Sequence, residues 1–276
     1  MMAEERLQKI IARSGLCSRR DADRAVNEGR VTVDGRVAEP GLKVDPAHVH
    51  IKVDGKMLKA PEALRYILLY KPRQVMTTCD DPEERKTVLD IIKPVIRERI
   101  YPVGRLDYHS EGLLLLTNDG ELAARVSHPR HGVVREYMVK IRGDLTDAEH
   151  RKLLAGTVVE GRHVKPRRAE RVSVNRGGKT TWWKVEVTEG RTHEVRELFF
   201  KAGHHVQRLR RSAIGELRDD TLKPGEFRTV TDAEVRALRR LTAKAKKPSS
   251  SRRRRPRSVA EGKRPRSRSG GPRQKR

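Results

Sequence analysis

The chain has 276 residues, 63 of them Lys or Arg and 37 Asp or Glu, which leaves a formal net charge of +26. Hydrophobic residues make up 35% and charged residues 36%, lean for a soluble folded protein, and no apolar run approaches the ~20 residues of a membrane helix. Two cysteines are too few for a disulfide framework or a Cys-built zinc site, and the positive excess favours a polyanionic partner, nucleic acid before a membrane surface. The opening MMAEERLQKI lacks the apolar centre of a secretory signal, so a cytoplasmic location is expected.

Leu7, Ile10 and Ile11 recur at helical spacing, and Gly15 falls where that helix would stop. Ser18, three residues before Asp21, is placed to cap a second helix that runs to about Glu28 and ends at Gly29. VTVDGR and HVHIKVDG then read as hairpin strands, each with an Asp-Gly turn. Arg6, Lys9, Arg13, Arg19, Arg20 and Arg24 occupy polar positions of the helical stretch, and no acid interleaves between Arg6 and Arg20. A phosphate-facing surface is the better reading of that run than a merely solvated face.

Further along, ALRYILLYKP predicts a buried strand stopped by Pro72, and KTVLDIIKPVIRER a helical stretch interrupted by Pro94. Residues 101–129, YPVGRLDYHSEGLLLLTNDGELAARVSHP, hold an apolar run at Leu113–Leu116, a turn at Asn118, Asp119 and Gly120, and a helix from Glu121 to Val126. Asp107 lies on the loop before that strand. By chemistry alone it is either a positioned carboxylate or the cap of a turn. WWKVEV, after the Gly177-Gly178 turn, alternates as a strand, with one indole in the core and the other at the surface. Residues 244–276 carry 15 basic residues against Glu261, with one Val and no aromatic residue; this tail is expected to be disordered.

Ten histidines invite a metal reading, but the close pairs His48/His50, His128/His131 and His204/His205 combine with no recognisable Cys or carboxylate ligand pattern. His109 reads as a loop residue beside the site, and His193 as a support for it. Cys79 has no His–acid partner nearby, and no Gly-rich phosphate loop is present, so no metal, nucleotide or other cofactor is expected.

Residues 5 to about 52, with the phrases SRRDAD and GRVTVDG, resemble the S-four RNA-binding domain, which implies that the basic helices grip structured RNA by shape and backbone. GRLDYHSEGLLLLTNDG resembles the active-site motif of the pseudouridine synthases that modify single uridines in small- and large-subunit ribosomal RNA. That resemblance implies a catalytic role for Asp107. REYMVKIRG resembles the strand whose Tyr lines the uracil pocket, here Tyr137. EGRTHEVRELFF resembles the segment that supplies a basic partner to the Asp, here Arg196, and LKPGEFRTVTDAEV matches the closing segment. Arg105, beside the motif Asp, joins the RNA-facing residues. The chain departs from the pattern at Gln74, where Gly is usual, at Glu197, where a second basic residue is usual, and at Ser110, where Thr is usual.

The resemblance implies an α+β protein. A small helical and β-hairpin RNA-binding domain (1–58) precedes a synthase domain (59–243) with a mixed, mainly antiparallel sheet flanked by helices, and then the tail (244–276). Its expected partner is ribosomal RNA, of the large subunit by preference, or a pre-ribosomal particle, met by a monomer with no membrane attachment and no small-molecule cofactor. The alternative on the same scaffold is a non-catalytic ribosome-assembly protein. Such a binder needs the basic patches but not the trio of Asp107, Tyr137 and Arg196, and all three are present.

Overall fold

The structure, a computed structural model, describes residues 4–174 and 179–243; the basic tail and the Gly177-Gly178 turn lie outside the described residues. Strand β1 (Glu5–Arg6) leads into α1 (Leu7–Arg13), and α2 (Arg19–Asn27) follows. Ser18 caps α2 as its position predicts, its hydroxyl accepting the Asp21 backbone N–H at 3.1 Å. Strands β2 (Val31–Val33) and β3 (Arg36–Val37) form one hairpin, β4 (Lys43–Val44) pairs back with β1, and β5 (Ile51–Val53) and β6 (Lys56–Met57) form the second hairpin. Both Asp-Gly turns put their two central residues at positive φ, 49° and 83° at Asp34-Gly35 and 50° and 74° at Asp54-Gly55. That is the geometry a two-residue type I′ hairpin requires. Leu7, Ile10, Ile11, Ala22, Val26, Val31 and Val53 close a core beneath the two helices.

The larger part begins with β7 (Tyr66–Lys71), α3 (Val88–Ile92), β8 (Tyr101–Pro102), β9 (Glu111–Thr117) and α4 (Gly120–Ser127). It continues through β10 (Arg135–Arg142), α5 (Asp147–Ala155), the hairpin β11 (Thr157–Val159) to β12 (Arg162–Val164), β13 (Arg168–Val174) and β14 (Thr180–Val187). Helix α6 (Glu194–Lys201), β15 (Val206–Ile214), β16 (Leu217–Arg218), β17 (Phe227–Thr229) and α7 (Asp232–Ala243) complete it. The main sheet runs β13-β14-β10-β15-β9-β7-β17, with β8 on β9 and β16 on β15. Strands β15 and β9 are parallel and the other neighbours antiparallel, so the fold is the α+β arrangement expected, a mixed sheet flanked by helices.

The four leucines of β9 explain why this strand is continuous in apolar character: both of its faces are covered. Leu113 and Leu115 pack with Leu122, Val126, Val235 and Leu238 from α4 and α7. Leu114 and Leu116 pack with Ile67, Leu69, Val88 and Ile92 on the other side. A further core gathers Tyr137, Val139, Val185, Leu198 and Phe199 between β10, β14 and α6, with Trp183 buried and Trp182 half-exposed.

Two local expectations need correction. The stretch around Pro94 holds a single short helix, Val88–Ile92, opened by a reciprocal Thr87–Asp90 cap; residues beyond Pro94 form no helix, since proline offers no N–H and blocks the preceding turn. Asp119 and Gly120 are also more than a turn. Asp119 is the N-cap of α4, accepting the backbone N–H groups of Glu121 at 3.1 Å and Leu122 at 3.0 Å, and Gly120 is the helix's first residue.

Candidate active site

Asp107 sits on the loop between β8 and β9, its side chain 31% exposed at the wall of a cavity of about 890 Å³. Arg73, Arg105, His193 and Arg196 share that wall, with His109 and Gln207, and Asp80 and Asp81 add two further carboxylates, Asp81 being paired with Arg85. The loop is tied down along its length. Ser110 N–H donates to the Asp107 carbonyl at 3.0 Å, Gln74 N–H to the Tyr108 carbonyl at 2.7 Å, and the Thr77 hydroxyl to the Leu106 carbonyl at 2.7 Å. Gln74 makes its bond with φ at 59°, a conformation that glycine adopts at no steric cost and that a residue with a Cβ reaches at about 1–2 kcal/mol. The departure at this position therefore changes the strain of the turn and keeps its hydrogen bond.

Two buried cations hold the same loop from beneath. Lys71, fully buried at the end of β7, donates to the carbonyls of Pro72 at 3.0 Å, Asp107 at 3.1 Å and Ser110 at 2.9 Å. Arg211 on β15, 2% exposed, donates to the Leu113 carbonyl at 2.7 Å and the Arg105 carbonyl at 3.4 Å. Gly112 makes this approach possible: a Cβ there would lie 2.3 Å from the Arg211 carbonyl oxygen. A third buried cation, Arg135, bonds the carbonyls of Glu189 at 2.6 Å and Val126 at 3.0 Å, bracing the segment that leads to His193. Each of these side chains satisfies backbone oxygens, which converts charge burial into loop geometry.

Around the carboxylate itself the contacts are longer. Ser110 Oγ lies 3.4 Å from Asp107 Oδ2, His193 Nδ1 3.9 Å and Arg196 Nε 4.0 Å. Arg196 also reaches Ser110 Oγ at 3.4 Å and the Val206 carbonyl at 3.2 Å, so the hydroxyl bridges acid and base. Burial pulls the Arg196 guanidinium below its ordinary pKa; Asp107 opposes that pull and Arg73 adds to it. His193 holds φ at 57° just before α6, a sparsely populated conformation for a side-chain-bearing residue and one that concentrates at functional sites. Catalytic hydrogen bonds of this length commonly tighten in the substrate complex.

The predicted residues divide accordingly. Asp107, Arg105 and Arg196 meet at the cavity. Tyr137 does not line it: it is 8% exposed, in the core cluster that also holds Leu106 and Val195, the residues immediately preceding Asp107 and Arg196. Lys9 and Arg13 are both paired with Glu5, at 2.7 and 2.9 Å, and Arg24 with Asp21, so acids flanking the basic run neutralise part of it. Arg6, Arg19 and Arg20 are exposed. Among the described residues no group of three or more His, Cys, Asp or Glu is gathered to hold a metal ion.

Lys71, Arg211 and, one step further from Asp107, Arg135 are the buried cations that the sequence reading missed. The signal for the first two lay in strand alternation: Lys71 continues the inward row of Ile67 and Leu69, and Arg211 that of Leu209 and Ala213. Burial pushes the Lys71 ammonium down to about 8, with Arg211 adding to the shift and Asp107 and Glu111 opposing it. The unfolded chain holds this proton up to its ordinary 10.5, so stability rises as pH climbs from about 8 to 10.5. Activity should move the other way there, because the neutral amine loses one donor and the charge beside Asp107. In Lys71→Met that alkaline limb should vanish and the neutral-pH rate fall about a hundredfold, the scale of a misplaced reacting group. Single-turnover rates and urea unfolding across pH 7 to about 10.5 measure both; parallel falls in rate and stability would count against the assignment.

Comparison with known proteins agrees with this geometry. The RNA pseudouridylate synthase family pattern matches residues 65–201 and the S4 domain pattern residues 5–49. The chain is 40% identical over 238 residues to ribosomal large subunit pseudouridine synthase B of Bacillus subtilis (strain 168), spanning 86% of this chain and 96% of that one. It is likewise 40% identical over 239 residues to an RNA pseudouridine synthase of Aquifex aeolicus (strain VF5), spanning 86% and 94%. A crystal structure of a pseudouridylate synthase superposes with a TM-score of 0.59 at 26% identity, over 84% of this chain and 99% of the other. Identity at this level along nearly the whole of both chains places the protein in the RNA pseudouridine synthase family, among members with an N-terminal S4 domain.

Proposed function

We propose that this synthase isomerises one specific uridine of ribosomal RNA, in the large subunit by preference, with Asp107 as the catalytic carboxylate. The observation that carries the reading is the setting of Asp107: a partly exposed carboxylate on a loop pinned by buried Lys71 and Arg211, 4.0 Å from Arg196 in a cavity that Arg73 and Arg105 also line. The large-subunit preference is supported by the Bacillus subtilis relative, whose name states that substrate.

The reaction breaks the bond from ribose C1′ to uracil N1, turns the base and joins C1′ to C5. The C5 proton leaves and N1 takes one up, so the balance needs no oxidant and no group donor. An ionised carboxylate serves either as nucleophile toward the ribose or ring, or as base at the ribose 2′ position. Arg196 keeps Asp107 charged when RNA excludes water, and Tyr137, in the core cluster with Leu106 and Val195, backs the residues that precede Asp107 and Arg196 and meets uracil only if the cavity opens toward its ring when RNA binds. The target leaves its stack to reach the site, which favours a loop, bulge or frayed helix. In this reading Arg6, Lys9, Arg13, Arg19, Arg20, Arg24 and Arg105 contact the RNA backbone. The division into residues 1–58, 59–243 and 244–276, the monomeric state, action without a cofactor and a cytoplasmic location belong to the same proposal.

Pseudouridine mapping of total RNA from cells with and without the protein tests it. One large-subunit position should lose its modification. An unchanged map overturns the proposal, and loss of a small-subunit position overturns the choice of subunit.

A further inference from the structure

A second cavity, of about 1050 Å³, lies between the two N-terminal helices and the larger part of the protein. One wall carries Lys9, Arg13, Arg19 and Arg20 from α1 and α2; the other carries Arg99, Tyr101 and Arg105 and the start of α4. Thr77, Thr78 and Arg105 line both this groove and the Asp107 cavity, so the two are continuous.

Glu62 fixes the groove from the connecting segment. Its backbone N–H donates to the Arg13 carbonyl at 2.9 Å, at the end of α1, while its carboxylate accepts the Arg99 backbone N–H at 2.9 Å. The same carboxylate covers Gly15, where a Cβ would lie 2.2 Å from Oε1. Across the groove, Arg19 reaches α4 so closely that a Cβ at Gly120 would sit 2.9 Å from its guanidinium nitrogen. Both contacts lie over glycines, where an added Cβ would make the Glu62 or Arg19 side chain shift.

The charges sort into two sets. Lys9 and Arg13 share Glu5, Arg125 pairs with Glu121, and Arg239 pairs with Asp119 at 2.9 Å. Arg19, Arg20, Arg99 and Arg105 make no ion pair with a carboxylate among the described residues; Arg105 reaches only the Thr192 hydroxyl, at 3.5 Å. Four uncompensated guanidiniums along a groove that opens into a catalytic cavity fit a polyanion longer than one nucleotide. Tyr101 is the single aromatic residue of the lining, so the groove is built to track phosphates rather than to stack bases.

We propose that this groove binds the phosphodiester backbone of the RNA strand flanking the target uridine, that Arg99 is one of its phosphate contacts, and that Glu62 holds the groove preformed. The inference rests on the RNA-modifying reading above and extends it to Arg99 and Glu62, which lie outside both the S-four module and the Asp107 cavity.

Salt-titrated binding of the full-length protein to a folded ribosomal RNA fragment, and to a target loop of about eight nucleotides, tests the proposal. Arg99→Gln should weaken binding to the long RNA about tenfold and reduce the slope of log K against log salt by about 0.7, the value for one single-strand phosphate contact. Arg99→Lys should retain the slope, and Glu62→Ala should weaken long-RNA binding with the slope per contact unchanged. The short loop should bind all variants alike. Equal affinity and slope for Arg99→Gln on the long RNA overturns the proposal, as does an equal loss on the short loop. Displacement of the RNA by poly-glutamate at least as readily as by unlabelled RNA of matched charge assigns the groove to an acidic protein segment and also overturns it. Since binding is read without turnover, failure of the groove and failure of the catalytic reading give separate results.

Discussion

Asp107→Asn should bind RNA nearly as the parent does and form no pseudouridine. The amide matches the carboxylate in shape, and the bonds that position this residue run to its backbone carbonyl, from Lys71 at 3.1 Å and Ser110 N–H at 3.0 Å, so the loop keeps its place. What changes is the chemistry. An amide neither attacks the ribose or ring nor takes a proton as a carboxylate does. Removing the central group of a catalytic constellation commonly costs about 10⁴-fold or more in rate. Single-turnover measurements at saturating RNA, beside equilibrium binding, separate the two effects. Turnover by the purified variant above a mock-preparation background contradicts the assignment.

Arg196→Met should produce the second large loss. Its guanidinium stands 4.0 Å from Asp107 and bonds Ser110 Oγ at 3.4 Å, with a side chain only 23% exposed before RNA covers it. Breaking one side of a buried pair costs about 3–5 kcal/mol. Since tenfold in rate is about 1.36 kcal/mol, a loss of about two to four orders of magnitude is expected near neutral pH. The unpaired carboxylate then competes for a proton, and part of the rate should return as pH rises. Arg196→Lys should lose much less, since a cation remains although the planar fork does not. If Arg196 served only as a phosphate contact, saturating RNA would restore the Met variant to the parental rate.

Much of this arrangement was legible in the residues themselves. The Ser18 cap, the two Asp-Gly turns and the leucine run at Leu113–Leu116 each act through neighbours in sequence, so local physics suffices to place them. The phrase around Asp107 and the segment around Arg196 each stand out alone, but their meeting depends on α6 and the β8–β9 loop closing on one cavity. That closure is a property of the sheet order, which periodicity does not encode. Lys71, Arg135 and Arg211 escaped notice for a different reason. A charged residue reads as solvent-facing by default, and burying one is stable only where carbonyls converge, a condition set by loops distant in sequence. Glu5 shows the reverse case: one acid outside the basic run pairs with two of its cations.

Release of the uracil C5 hydrogen is the most direct test of the central claim, because re-joining the base through C5 expels that hydrogen and no binding event does. Ribosomal RNA transcripts labelled with tritium at uridine C5 should release close to one equivalent per molecule with the parent protein, and none above background with Asp107→Asn. Absence of release by the parent from either large- or small-subunit RNA, or equal release by the Asn variant, would contradict an Asp107-centred isomerisation of a single uridine.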